Sequence, residues 1–289
     1  MPVPAPRAAP HAAVAGLATT TGMLSETQIK DLATKLNEAE RGRQSIRQFS
    51  LDHPEITVED AYAVQRTWVD LKLAEGRTVT GHKIGLTSRS MQRFSNLTEP
   101  DYGILFNDMV FDDGAQIPSD RFIEPRVEVE LAFLLDRPLR GPGVTLFDVL
   151  DATGYVRPAI EIIDARVQRT DPETKETRKI YDTIADNAAA AGLVVGGRPV
   201  KALDVDLRWV SALLYRGGML EESGVAAAVL NHPANGVAWL ANKLAPHGTG
   251  LEAGHLILAG SFTSPVSARP GDVFHIDYHD LGSIACSFT

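Results

Sequence analysis

The sequence predicts an α+β protein, with a helical N-terminal region followed by a β-rich domain of mixed strands. Three observations predict it. Apolar residues recur at helical spacing in two segments before residue 80. From about Ile104 onward, short apolar or alternating runs take over, separated by glycine- and proline-rich turns. The 289 residues are 44% hydrophobic and 22% charged, which suits a globular chain with a sizeable core.

In chain order, residues 1–22 are rich in alanine and proline and read as a disordered tail. The stretch lacks a continuous apolar segment and a basic start, and its one arginine does not make a transit peptide. Met23 offers an alternative start. Region 23–80 is helical. Ser25 and Gln28 form a capping-box pattern, and Ile29, Leu32, Ala33 and Leu36 follow on one face. A second helix starts at Thr57, carries Ala61, Val64, Trp68 and Leu71, and stops near Gly76. "TVTGHKIGLTS" reads as strand and turn and leads into the β-rich region, 81–289. There the runs "ILFNDMVF", "RVEVELAFLL", "RPAIEIID", "GLVVGG", "SALLYR", "HLILAGSF", "DVFHIDY" and "SIACSF" read as strands. "TLFDVLDAT" reads as a short helix. "HPANGVAWLANKLAP" reads as a longer one, with Val237, Leu240, Ala241 and Leu244 on one face and Pro246 past its end. No internal repeat or heptad run is present.

Composition excludes several functions. A net charge of −9 and a pI near 5.4 argue against nucleic-acid binding, which needs a basic face. An anionic substrate would then need local positive charge from Lys, Arg or a metal. No apolar run approaches the ~18–20 residues that span a bilayer, so no membrane association is expected. The reading is a cytoplasmic protein. Cys286 is the lone cysteine. It sits in an apolar run and reads as a small buried hydrophobe. Neither a P-loop nor a strand-borne G-x-G-x-x-G is present, so nucleotide cofactors are not indicated.

The chemistry concentrates in carboxylates. In "EPRVEVELAFLL", strand periodicity puts Glu128 and Glu130 on one face and Val127, Val129 and Leu131 on the other. Alone, that pair fits a solvated strand face as well as a site. Glu161 in "PAIEIID" is flanked by Ile160, Ile162 and Ile163, and an ionised carboxylate in an apolar strand needs a partner. Three such carboxylates suit an oxygen-loving ion, Mg²⁺ or Mn²⁺. The histidines show no zinc-type spacing.

Other residues carry two readings each. Lys83 in "GHKIG" is either an exposed strand lysine or a partly desolvated one, whose pKa burial would lower toward proton transfer. Its neighbour His82 reads as structural. Asp101 in "EPDYG" serves a turn or the chemistry. Asn187, in "DTIADNAAAAG", donates to a bound carboxylate or caps a turn. Ser261 and Phe262, in "AGSFTSP", stand at a strand end that holds an oxyanion or is a plain transition.

These blocks, from "GHKIGLTSRSMQ" and "EPDYG" through "PRVEVELAFLLDRPLRGPG", "PAIEIIDAR", "DTIADNAAAAG" and "NHPANGVAWLANKLAP" to "LAGSFTSPV", resemble the fumarylacetoacetate hydrolase superfamily. Within it they are similar to the hydratase and decarboxylase branch of aromatic meta-cleavage pathways. The resemblance runs from about Ser25 to the C-terminus. It implies a mixed, rolled β-sheet domain of fumarylacetoacetase C-terminal type with an N-terminal helical region. It implies Mg²⁺ or Mn²⁺ on Glu128, Glu130 and Glu161, and Lys83 and Asp101 as the catalytic pair. Asn187, Ser261 and Phe262 match substrate-pocket positions. The implied activity is metal-dependent hydration of a 2-oxo dicarboxylate by a homo-oligomer. Hydration of a monoacid dienoate, decarboxylation and C–C hydrolysis are alternatives on the same fold, and a non-catalytic subunit is the alternative of another class. One departure is "DYHDLGS", where glycine is expected directly after the tyrosine and His279 stands instead.

Overall fold

Two capping boxes begin the N-terminal helices, as the sequence expects. In the computed structural model, which describes residues 24–94 and 98–289, α1 spans Glu26–Gly42. The expected tail, 1–22, and Met23 lie outside the described residues. Ser25 Oγ accepts the Gln28 N–H at 3.3 Å while Gln28 Oε1 accepts the Ser25 N–H at 2.9 Å. A single turn, α2 (Phe49–Asp52), precedes α3 (Val58–Ala74), where Thr57 and Asp60 repeat the reciprocal pattern. The two long helices are locked by Lys72. Its buried ammonium pairs with Glu40 and Asn37 and lies 4.9 Å from the centroid of the Trp68 ring. Trp68 in turn meets Phe106 edge-on at 6.0 Å, which ties the helices to the sheet.

The remaining elements are β1 (Val79–Gly85), α4 (Arg89–Phe94), β2 (Asp101–Phe106), β3 (Val110–Asp112), β4 (Ala115–Ile117), β5 (Arg126–Leu135), α5 (Leu146–Ala152) and β6 (Thr153–Ile163). Then come α6 (Ile180–Ala185), β7 (Ala190–Val195), β8 (Ser211–Arg216), β9 (Met219–Val225), α7 (Pro233–Leu244), β10 (Leu256–Leu258), β11 (Val266–Ser267), β12 (Val273–Asp277) and β13 (Ser283–Phe288). They form two mixed sheets. The larger runs β2-β1-β10-β5-β6-β7-β3 with β11 also pairing β5, and the smaller runs β4-β13-β12-β8-β9. All eight runs expected as strands contain one, and both expected helices form as α5 and α7. The sequence signal missed α2, α4, α6, β4, β9 and β11. The last three lack an alternating apolar pattern, and β9 is a largely exposed edge strand.

Register in the larger sheet does most to position the site. Glu128 on β5 stands opposite Glu161 on β6. Lys83 on β1 stands opposite Leu258 on β10, which stands opposite Ala132 on β5. Asp101 on β2 stands opposite Gly85 on β1. Directly opposed residues share a face, and so do residues two apart. The pleat therefore puts Lys83, Asp101, Glu128, Glu130 and Glu161 on one face. The other face carries Val127, Val129 and Leu131, all buried in the core. Tyr278, just past β12, clamps this layer from the smaller sheet, its hydroxyl donating to the Glu130 carbonyl at 3.0 Å and the Ala159 carbonyl at 2.7 Å. The adjoining His279 adopts φ 54°, the left-handed region that favours glycine, which accounts for the glycine expected there. Cys286 is buried, as expected. No described helix is long and apolar enough to cross a membrane.

Candidate active site

The three glutamates converge. One carboxylate oxygen from each of Glu128, Glu130 and Glu161 lies within 4.8 Å of the others. Glu130 and Glu161 are fully buried and Glu128 is half-buried at the mouth of a cleft. Glu130 Oε2 accepts the Gly260 N–H at 2.8 Å, while its Oε1 has no hydrogen-bond partner among the described residues. Neither oxygen of Glu161 has one either, although Lys83 Nζ approaches Oε1 at 3.3 Å. Buried carboxylate oxygens left without donors are what a cation site requires and what a solvated strand face never shows. The donor set, all hard oxygen, fits Mg²⁺ or Mn²⁺.

The electrostatics follow from burial and mutual repulsion. Burial pushes Glu128 up to about 7, with the Glu161 charge adding to it. The same two causes hold Glu130 well above the ordinary carboxylate range. Burial also raises Asp101, against the pull of Lys83. Lys83 corrects a sequence expectation. Burial works to lower its pKa, as expected, but the fields of Glu161, Asp101, Glu128 and Glu130 together outweigh burial and raise it above the usual amine value. Nor is Lys83 an exposed strand lysine. It is 4% exposed, on a strand paired on both sides. His82 is buried beside His255, with ring centroids 5.4 Å apart, as its structural reading expects.

Asp101 is no turn residue. It opens β2, buried, with Oδ1 unpartnered among the described residues. It and Lys83 both lean over Gly85. A Cβ there would stand 2.2 Å from Asp101 Oδ1 and 3.3 Å from Lys83 Nζ, so this position needs glycine. The cleft beside them, about 440 Å³, is lined by Gly85, Thr87, Glu128, Ser261, Phe262 and their neighbours. Ser261 faces it, yet its hydroxyl donates to the Thr263 carbonyl at 3.0 Å and accepts the Thr263 N–H at 3.2 Å. Phe262 packs its ring against Tyr278, centroids 6.3 Å apart. Asn187 is placed differently from its neighbours. Both ends of its amide are closed on the backbone of Ile104, whose N–H donates to Oδ1 at 2.8 Å and whose carbonyl accepts from Nδ2 at 2.9 Å. Asn187's own carbonyl and its Oδ1 both lie over Gly103, opposite Lys83, where a Cβ would stand 2.4 Å and 3.2 Å from them, so this turn borders the face that carries the site.

Sequence reasoning missed Gly260 and Tyr278, which support Glu130 through backbone groups. A glycine directly after an apolar run was the only available signal for Gly260. Its φ is 122°, and a Cβ at this position would stand 2.3 Å from Thr87 Oγ1, which explains why no other residue fits.

No family model matches the chain. It is 65% identical over 257 residues to the 2-oxo-hept-4-ene-1,7-dioate hydratase of Escherichia coli, covering 89% of this chain and 96% of that one. It is 38% identical to a 2-hydroxyhexa-2,4-dienoate hydratase of Comamonas testosteroni, over 90% of this chain and 97% of that one. Among solved structures, 4-oxalocrotonate decarboxylase of Pseudomonas putida G7, complexed with magnesium and adipate, superposes with a TM-score of 0.88 at 35% identity, over 93% of this chain and all of that one. The shared fold, the extent of the alignments and the identities place this chain in the fumarylacetoacetate hydrolase superfamily, in its hydratase and decarboxylase branch.

Proposed function

We propose that this protein is a Mg²⁺- or Mn²⁺-dependent hydro-lyase. It adds water to the seven-carbon substrate 2-hydroxyhepta-2,4-dienedioate, in its 2-oxohept-3-ene-1,7-dioate form, to give 4-hydroxy-2-oxoheptane-1,7-dioate. The 2-oxohept-4-ene-1,7-dioate of the Escherichia coli relative's name is another keto form of the same dienol. The reading carries with it a role in 4-hydroxyphenylacetate catabolism, a cytoplasmic location and a homo-oligomeric state. The exposed Trp209 and the exposed Met219 and Leu220 on edge strand β9 support assembly.

The observation that carries it is the set of unpartnered buried carboxylate oxygens on Glu130 and Glu161 beside Glu128, with Lys83 at 3.3 Å. Glu128, Glu130 and Glu161 hold the cation. When bound, it stabilises negative charge developing on the 2-oxo oxygen of a chelated 2-oxo acid. The side chains do the rest. With a cation held by the three glutamates, their pull on Lys83 would be screened and burial would favour the neutral amine that proton transfer needs. Lys83 Nζ then shuttles the proton that ketonises the dienol. Asp101, raised by burial and unpartnered at Oδ1, accepts one proton of the water whose hydroxyl adds at C4, and Lys83 delivers the proton that C3 takes up to complete the addition. Gly85 leaves the space in which both groups meet the substrate. Ser261 and Phe262 line its entry.

The test is a spectrophotometric panel of the five-carbon monoacid and the six- and seven-carbon diacid dienoates, with and without Mg²⁺ and with product mass identified. Dienoate absorbance should fall fastest for the seven-carbon diacid, with a mass gain of one water. Loss of CO₂ instead would assign the decarboxylase reading, which the 35% likeness to 4-oxalocrotonate decarboxylase favours as the runner-up. Absence of Mg²⁺-dependent activity on every dienoate would leave the non-catalytic reading.

A further inference from the structure

Strand β2 carries Asp101, yet it lies at the edge of the larger sheet and pairs with β1 alone among the described residues. In such a strand, alternate residues turn their N–H and C=O groups away from the sheet. Two buried side-chain amides meet those groups on β2. Asn187 takes both the N–H and the carbonyl of Ile104, at 2.8 and 2.9 Å. Gln65 Nε2 donates to the Tyr102 carbonyl at 2.8 Å. A side-chain amide offers a donor and an acceptor, as a peptide group does, so Asn187 stands in for a neighbouring strand.

Elements remote in sequence hold both amides. Gln65 lies on α3, and its Nε2 also donates to the Ile184 carbonyl on α6 at 3.1 Å. Tyr62, one turn before it, stacks on Tyr102 with ring centroids 4.7 Å apart, so one face of α3 addresses β2 twice. Asn187 opens a turn in which three successive residues other than glycine take left-handed φ, 52° at Asn187, 49° at Ala188 and 60° at Ala189. Alanine there is strained, and such strain persists only where the surroundings impose it. Arg166 Nη2 donates to the Asp186 carbonyl at 2.7 Å on one side of the turn. On the other, the Asp164 N–H donates to the Ala189 carbonyl at 2.9 Å. The turn so held aims Asn187 at β2.

The edge matters because of what β2 presents. Asp101 directly precedes Tyr102, and Gly103, between the two residues that the amides bind, stands opposite Lys83. Asp101 and Lys83 both lean over Gly85. Were the outer edge of β2 left to water, the strand would be free to lift from β1 at the end that carries Asp101.

We propose that Asn187 and Gln65 are positioning residues, which close the outer edge of β2 and so hold Asp101 in register with Lys83. The role given to Asp101 rests on the hydratase reading above. The experiment uses Asn187→Gly, which suits the left-handed turn and removes the amide, and Gln65→Met, which keeps the length of the side chain. Each is made alone and together with Asp101→Asn. With the seven-carbon dienoate and Mg²⁺, each single variant should lose at least about tenfold in kcat, with KM and the Mg²⁺ Kd within about threefold of wild type. In the Asp101→Asn background the same changes should cost less than about threefold, because the group they position is already gone. Without substrate, amide hydrogen exchange in β2 should quicken at least about tenfold in both variants, while β5 and β6 exchange at the wild-type rate. Full losses in the Asp101→Asn background, a raised KM with kcat kept (the mark of direct substrate contact), or wild-type exchange in β2 would overturn the proposal. If wild type turns over no dienoate, or Asp101→Asn alone keeps the wild-type kcat, the hydratase reading of Asp101 fails instead, and exchange in β2 decides whether the amides hold the strand.

Discussion

Glu161→Gln separates a metal site from a structural ion pair. The substitution keeps the shape of the side chain and removes one charge from the cluster. At an effective dielectric near 20, the 3.3 Å separation between Lys83 and Glu161 corresponds to an attraction of roughly 5 kcal/mol. Glu161 also repels Glu128 and Glu130, whose facing oxygens lie within 4.8 Å, by roughly 3.5 kcal/mol each. The repulsions sum to about 7 kcal/mol, so removing the charge relieves more than it loses, by about 2 kcal/mol. Protonation of the raised carboxylates caps that gain. No hydrogen bond is lost, because neither Glu161 oxygen accepts one. The metal-free variant should melt at the wild-type temperature or up to about 5 °C above it. Mg²⁺ at a hundred times its Kd should stabilise the wild type by about 2.7 kcal/mol, a rise of about 5–10 °C, and the variant by less than about 1 °C. Differential scanning calorimetry at pH 8, with chelator and then with Mg²⁺, reads both values. A variant that melts far below wild type without metal, or that keeps the Mg²⁺ response, would make Glu161 a structural ion-pair partner and not a metal ligand.

The same geometry makes three further predictions. Lys83→Met should lower kcat at least about 100-fold while the protein still binds Mg²⁺ by calorimetry, as removal of a proton-transfer group predicts. Gly260→Ala places a methyl 2.3 Å from Thr87 Oγ1 at φ 122° and disturbs the N–H that serves Glu130. It should cost about 2–4 kcal/mol in urea unfolding and weaken Mg²⁺ binding. His82 is held down to about 3 by burial, with His255 adding to it. It stays neutral in the folded protein while the unfolded chain takes up a proton below about 6.5, so stability should fall as pH drops from about 6.5 toward 3, by roughly 4 kcal/mol at the lower end. His82→Gln should flatten that part of the stability curve, measured by urea titration at fixed pH steps.

Local patterns made much of this fold legible in the sequence. The capping boxes at Ser25 and Thr57, the helical stripe of α7 and the alternation along β5 are short-range signals, and each depends only on residues a few positions apart. The face shared by Glu128 and Glu130 follows from strand period alone, and the apolar flanks of Glu161 already marked it as a carboxylate in need of a partner. Long-range pairing resolved what those signals leave open. Glu161 meets Glu128 because β6 pairs β5 in one register, and a shift of one residue would have sent it to the core face. Lys83 reaches the cluster through β10, a three-residue strand contributed from far along the chain. Its pKa rises rather than falls because acids from β2, β5 and β6 surround it, a sum of fields that no local window contains. Asn187 spends its amide on Ile104, a partner 83 positions away that loop closure brings to it. Local sequence marks which polar groups will need a partner, and strand pairing and loop closure over long separations choose the partner each one finds.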